Sequence, residues 1–199
     1  MFPTGFVHKL YLYRRARAGG DSGNAFMPAD PIPEAVPSGT SILFVCTGNT
    51  CRSPLAEALC RRLAADRLGC TPDELAARGV VIRSAGVAAM PGDEAAGLAV
   101  EVARELGADL TDHRSRPVNP ELLADATRVV AMTRMHAIAL AMHFPGLGPV
   151  PELLCGPEGD LDDPLGGDLD VYRDCAEVIL RHLGRVLPEW LGTPRSGAA

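Results

Sequence analysis

Short apolar runs suited to buried strands alternate along this chain with longer stretches whose apolar residues share one helical face. The runs lie at residues 42–45, 80–84, 128–132 and 150–154. Helical spacing appears from 54 to about 68, where Leu55, Leu59 and Leu63 align. It returns from 93 to 106, where Leu98, Val102 and Leu106 align before Gly107. Asn119 and Pro120 read as the cap and first turn of a further helix. Another follows the third run to about His143. The last is predicted from Asp168 to about Leu187, with Val171, Cys175, Val178, Ile179, His182 and Val186 on its inner face. This alternation predicts an α/β fold, a single domain with a four-stranded parallel sheet and helices on both faces. Ligands in such sheets sit beyond the carboxyl ends of the strands, and Cys46 ends the first run.

Residues 1–40 break the pattern. Lys9, Arg14, Arg15 and Arg17 interrupt Phe6, Leu10, Tyr11, Leu12 and Tyr13, so no secretory apolar region forms. Pro28, Pro31, Pro33 and Pro37 mark an extended linker. The expectation is a disordered extension over 1–40, a folded domain over 41–190 and a flexible tail over 191–199. Met27 offers an alternative start, and a functional basic arm is the other reading of the first residues.

Composition narrows the class. The chain of 199 residues is 47% apolar, enough for a core that needs no staples. No apolar run approaches the ~18 residues of a membrane span. The net charge of −6 argues against a general nucleic-acid binder. Six cysteines (46, 51, 60, 70, 155 and 175) show no CxxC and no paired zinc spacing, and the five histidines form no metal-ligand pattern. A cytoplasmic protein with reduced thiols, no membrane or nucleic-acid partner and a monomeric state is expected.

The chemistry concentrates in Val45-Cys46-Thr47-Gly48-Asn49-Thr50-Cys51-Arg52-Ser53-Pro54. A strand, a short polar turn and a helix start make an anion cradle, because backbone N–H groups converge there with partial positive charge. Gly48 allows a positive φ and close approach to an anion, and Asn49 also tolerates that region, so Gly-Asn fits a tight concave turn. Ser53 is read as the N-cap and Pro54 as the first helical residue. Arg52 can reach back and grip two phosphoryl oxygens with its fork. The same field favours a thiolate on Cys46, a nucleophile for phosphorus. A nucleotide P-loop would need GxxxxGK[ST], and no lysine stands here. A Cys46–Cys51 disulfide would remove the nucleophile, although reversible oxidation fits a reactive thiolate.

An attack on phosphorus also needs an acid for the leaving group. Residues 160–168 carry Asp160, Asp162, Asp163 and Asp168 between proline and glycines. Spacing alone does not select among them.

With these residues in place, the chain from about 41 to 187 resembles the low-molecular-weight protein-tyrosine-phosphatase family. Phe44-Val45-Cys46 through Pro54 carries the most specific part of the likeness, Arg83-Ser84-Ala85-Gly86 resembles the second-strand motif, and Asp163-Pro164 the late acid loop. The resemblance implies that Cys46 attacks phosphorus and forms a phosphocysteine. Arg52 and the N–H groups of Thr47, Gly48, Asn49, Thr50, Cys51, Arg52 and Ser53 would hold the phosphoryl oxygens. Asp163 would be the acid and then the base, Ser53 would hydrogen-bond the sulfur, and Ser84 would brace Asn49. It implies phosphorylated proteins as substrates and neither metal nor other cofactor.

Phosphotyrosine-directed members carry a bulky aliphatic residue before the second cysteine and often aromatic residues after Asp-Pro. Here those positions are Thr50, Leu165 and Gly166. Thr50, Asp-Pro-x-Gly-Gly and Asp170-Val171-Tyr172 instead resemble the bacterial protein-arginine phosphatases. A phosphoguanidinium is planar and hydrogen-bonding, so a hydroxyl and a carboxylate suit it better than an aliphatic wall. Phosphoarginine is therefore the expected substrate and phosphotyrosine the alternative. A thiol-dependent arsenate reductase, the remaining alternative, would need two more cysteines close together. Cys155 and Cys175 are twenty residues apart in sequence.

Overall fold

The structure, a computed structural model, describes residues 39–192. Nearly all of the expected disordered extension, the basic arm and nearly all of the expected tail lie outside the described residues, and Thr40, placed by expectation in the extension, opens the first strand. Four strands form one sheet: β1 (Thr40–Cys46), β2 (Val80–Gly86), β3 (Arg128–Ala131) and β4 (Glu152–Leu153). Their order is β2-β1-β3-β4 and every pairing is parallel. Five α-helices accompany them: α1 (Arg52–Leu68), α2 (Gly97–Glu105), α3 (Pro120–Ala124), α4 (Arg134–His143) and α5 (Leu169–Trp190).

The central strand shows why the sheet is covered twice. Side chains alternate across a strand, so Ile42, Phe44 and Cys46 enter one core with residues of α1, α2 and α5. Leu43 and Val45 enter a second core with Leu123 and Leu140, from α3 and α4. A continuous apolar run is what a strand with two buried faces requires. The expected four-stranded parallel sheet with helices on both faces is therefore present.

Several boundaries differ from expectation. The helix predicted from residue 93 starts only at Gly97. Asp93 and Glu94 are drawn into a short antiparallel contact with the 114–115 segment, where Asp93 N–H donates to Ser115 Oγ at 2.9 Å. The fourth strand is two residues long, since only Glu152 and Leu153 pair with β3. The last helix runs past Pro188 to Trp190. Trp190 packs against Phe44 with ring centroids 6.5 Å apart, and that burial outweighs one lost helical hydrogen bond. Val171 does not join the inner face. It stands 43% exposed, one turn from the helix start, where Tyr172 turns inward instead.

Candidate active site

The cradle lies where β1 ends and α1 begins. Most of its carbonyls are tied away from the loop centre. Cys46 O accepts from Val87 N at 2.9 Å, Thr47 O from Ala88 N at 3.0 Å and Thr50 O from Ala96 N at 2.9 Å. Asn49 O takes His113 Nε2 at 2.8 Å, and Cys51 O the N–H of Leu55 at 3.2 Å. A trans peptide points its C=O and N–H in opposite directions. The N–H groups of Thr47, Gly48, Thr50, Cys51 and Arg52 therefore turn inward, toward the sulfur side. Anchored carbonyls are how this segment becomes an anion site.

One local expectation, the N-cap, is corrected, and the left-handed turn falls on Asn49. The residue at positive φ is Asn49, at 56°, and Gly48 is not among the positive-φ residues. Asn49 holds this conformation because its side chain is fully used. Its Oδ1 accepts from Arg116 N at 2.9 Å, and its Nδ2 donates to Ser84 Oγ at 2.8 Å and Ser53 Oγ at 3.0 Å. Ser53 is not the N-cap, a place that Cys51 occupies without a side-chain cap bond. The Ser53 hydroxyl lies 2.9 Å from Cys46 Sγ, and Asn49 N–H donates to the same sulfur at 3.2 Å.

Gly86 permits this closeness. A Cβ there would fall inside contact distance of the Thr47 carbonyl oxygen and 2.9 Å from Asn49 N. The second-strand motif thus supplies both the serine that braces Asn49 and the residue that lets the loop lie on the strand.

Arg52 is 6% exposed. Its Nη2 is ion-paired to Asp163 Oδ2 and stands 3.5 Å from Thr47 Oγ1, and its Nη1 donates to Leu161 O at 3.4 Å. Its Nε is buried with no protein partner among the described residues, which suits an oxyanion acceptor. Of the four aspartates that spacing left open, the fold brings Asp163, the one the resemblance implies, to Arg52. Asp160 instead accepts from Arg134 N at 2.8 Å, and Asp168 caps α5 through the N–H groups of Asp170 and Val171. Asp162 is exposed.

Other residues of the site carried no periodic or spacing signal. His136 is buried at the start of α4, with Nε2 2.8 Å from Thr47 Oγ1 and Nδ1 2.9 Å from Thr133 Oγ1. Burial first, and Arg52 second, push its pKa down to about 4 against the pull of Asp163 and Asp160, so its imidazole is neutral. Tyr172 OH lies 3.3 Å from Cys51 Sγ. Burial and that hydrogen bond raise the phenol pKa, keeping it protonated. Thr50 Oγ1 is 3.7 Å from the same sulfur. Among the described residues, no group of three or more His, Cys, Asp or Glu is arranged to hold a metal ion, and no helix is long and apolar enough to cross a membrane.

A cysteine and an arginine on the loop that follows the first strand of a parallel sheet, with the Asp163 carboxylate against that arginine, fit a Cys-x5-Arg phosphatase architecture. The profile of the low molecular weight phosphotyrosine protein phosphatase family matches residues 41–192. The chain belongs to that family. It is 41% identical over 153 residues to a protein-arginine-phosphatase of Bacillus subtilis, covering 73% of this chain and 95% of the relative. It is 31% identical over 147 residues to the low molecular weight protein-tyrosine-phosphatase PtpB of Staphylococcus haemolyticus, covering 73% of this chain and 96% of the relative. A solved YwlE arginine phosphatase mutant with a phosphorylated active-site serine superposes with a TM-score of 0.67 at 38% identity. That match covers 78% of this chain and 98% of the other.

Proposed function

We propose that this phosphoprotein phosphatase hydrolyses phosphoarginine in proteins. Cys46 sulfur attacks phosphorus in line and forms an S–P bond while the P–N bond to the guanidinium breaks. Asp163 gives its proton to the leaving nitrogen. It then takes a proton from water, whose oxygen attacks the phosphocysteine and releases phosphate and the Cys46 thiolate. Arg52 and the inward N–H groups from Thr47 to Ser53 hold the equatorial oxygens as charge develops on them. Ser53 Oγ–H and Asn49 N–H stabilise the sulfur as attacking anion and as leaving group.

Thr50 carries the substrate assignment. Its carbonyl is tied to Ala96 N, which fixes the residue at the cradle beside Cys51. It offers a hydroxyl where an aliphatic wall would leave a guanidinium's N–H groups unpaired. The greater identity to the arginine phosphatase than to the tyrosine phosphatase supports the same choice. The arsenate-reductase reading is disfavoured by the remaining thiols. Burial pushes the Cys175 pKa up to about 12 and also raises that of Cys155, the opposite of what a relay thiolate requires.

The deciding experiment compares kcat/KM on a phosphoarginine peptide and a phosphotyrosine peptide of the same sequence. The expected result is a strong arginine preference that Cys46→Ser abolishes. Equal rates, or a tyrosine preference, overturn the assignment of arginine.

A further inference from the structure

The hydrogen bonds around Asn49 have a forced direction. Arg116 N–H can only donate, so Asn49 must present Oδ1 to it, which turns both Nδ2 hydrogens toward Ser84 and Ser53. Each serine oxygen therefore accepts from Asn49 and has one proton left to give. Ser84 gives its proton to Glu57 Oε2 at 2.6 Å, because a carboxylate can only accept. Ser53 has two candidate acceptors, Cys46 Sγ at 2.9 Å and Ala85 O at 3.3 Å, and the sulfur is nearer.

We infer that Glu57 is a positioning residue for Cys46, acting through Ser84, Asn49 and Ser53. It sits in the second turn of α1 with a side chain only 12% exposed. Its other oxygen has Arg61 Nη1 4.0 Å away, so Oε2 is left to Ser84. By drawing the Ser84 proton outward, Glu57 keeps the lone pairs of Ser84 facing Asn49 Nδ2. The amide then stays in register with Ser53, whose proton faces the sulfur. The inference rests on Cys46 being the nucleophile.

A plain Coulomb effect would act in the opposite sense, because a nearby carboxylate disfavours a thiolate. Two variants separate the two. Glu57→Gln keeps the reach and an acceptor oxygen but loses the charge, whereas Glu57→Asp keeps the charge but falls short of Ser84. The readout is the alkylation rate of Cys46 by iodoacetamide at mildly acidic pH, followed on the Cys46 peptide by mass spectrometry. Circular dichroism confirms the fold of each variant.

E57D is expected to slow alkylation by roughly three- to tenfold, on the order of one hydrogen bond. E57Q is expected to stay within about twofold of the unaltered protein. In a Ser53→Ala background, itself slow, E57D is expected to add little, since both act on one chain. Unchanged alkylation in E57D, faster alkylation in E57Q or full additivity with S53A overturns the role of Glu57. Alkylation unaffected by S53A instead overturns Ser53 as a donor to the sulfur, a failure of the proposed mechanism distinct from that of Glu57.

Discussion

The carboxylate of Asp163 lies on the guanidinium of Arg52, the group proposed to hold the phosphoryl oxygens. An arriving phosphoryl group must therefore compete with Asp163 for Nη2. The same contact keeps the acid loop at the cradle, where Leu161 N–H also donates to Met132 O at 2.8 Å.

Removing that competitor separates binding from turnover. Asp163→Asn should bind inorganic phosphate about fivefold more tightly, as expected for release of a half-exposed ion pair. Its kcat should fall by roughly 100-fold or more, the usual loss of a general acid. Competitive inhibition by phosphate and steady-state kinetics on one preparation measure both. Asp162→Asn should leave each within about twofold, because that carboxylate is turned to solvent.

Thr50→Ile replaces the hydroxyl beside Cys51 with an aliphatic branch. The ratio of phosphoarginine to phosphotyrosine kcat/KM should drop by roughly 10- to 100-fold, the range for a lost polar match. An unchanged ratio would place the specificity elsewhere on the rim.

Gly86→Ala drives a methyl group into the Thr47 carbonyl and to within 2.9 Å of Asn49 N. The loop or the strand must move, so we expect a loss of about 2–4 kcal/mol in urea unfolding together with loss of activity. Gly97→Ala is the control. Nothing lies within 4 Å of a Cβ there and the residue starts α2, so stability should hold or rise by about 0.5–1 kcal/mol.

His136 makes the fold sensitive to acid. Its pKa is lowered from 6.5 to about 4, so across that window the unfolded chain binds a proton that the folded chain refuses. Stability present above the unfolded value should therefore fall as pH drops through the window, by roughly 2–3 kcal/mol from this group. His182, also lowered by burial, adds in the same direction. His136→Gln should flatten the dependence when urea midpoints are compared at both ends of the window. An equally steep curve would show that other groups dominate.

Much of the fold was legible because its signals are local. The run at residues 42–45 reads as a doubly buried strand from four apolar side chains, and Asn119-Pro120 marks α3 by cap chemistry alone. Asn119 Oδ1 does accept from Leu122 N at 2.8 Å. The errors arose where a distant segment competed for a local group. Ser53 would cap α1 if Cys46, Asn49 and Ala85 did not surround it. The start of α2 differs because the 114–115 segment captures Asp93, and α5 runs beyond the expected end near Leu187 because Trp190 finds Phe44.

The sequence by itself determined the chemistry of this protein. Cys46, the turn and Arg52 are contiguous, so their backbone geometry follows from a few residues at one strand end, and Thr50 lies inside the same segment. Only the tertiary structure decided which groups serve that segment. It set Asp163, the aspartate that the family resemblance implies, against Arg52, brought His136 to Thr47, and placed Glu57 on Ser84. Asp163, His136 and Ser84 reach the cradle through contacts 111, 89 and 35 residues apart in sequence. Contacts of that kind follow from the register of the sheet and the packing of both cores, which no local pattern of residues encodes.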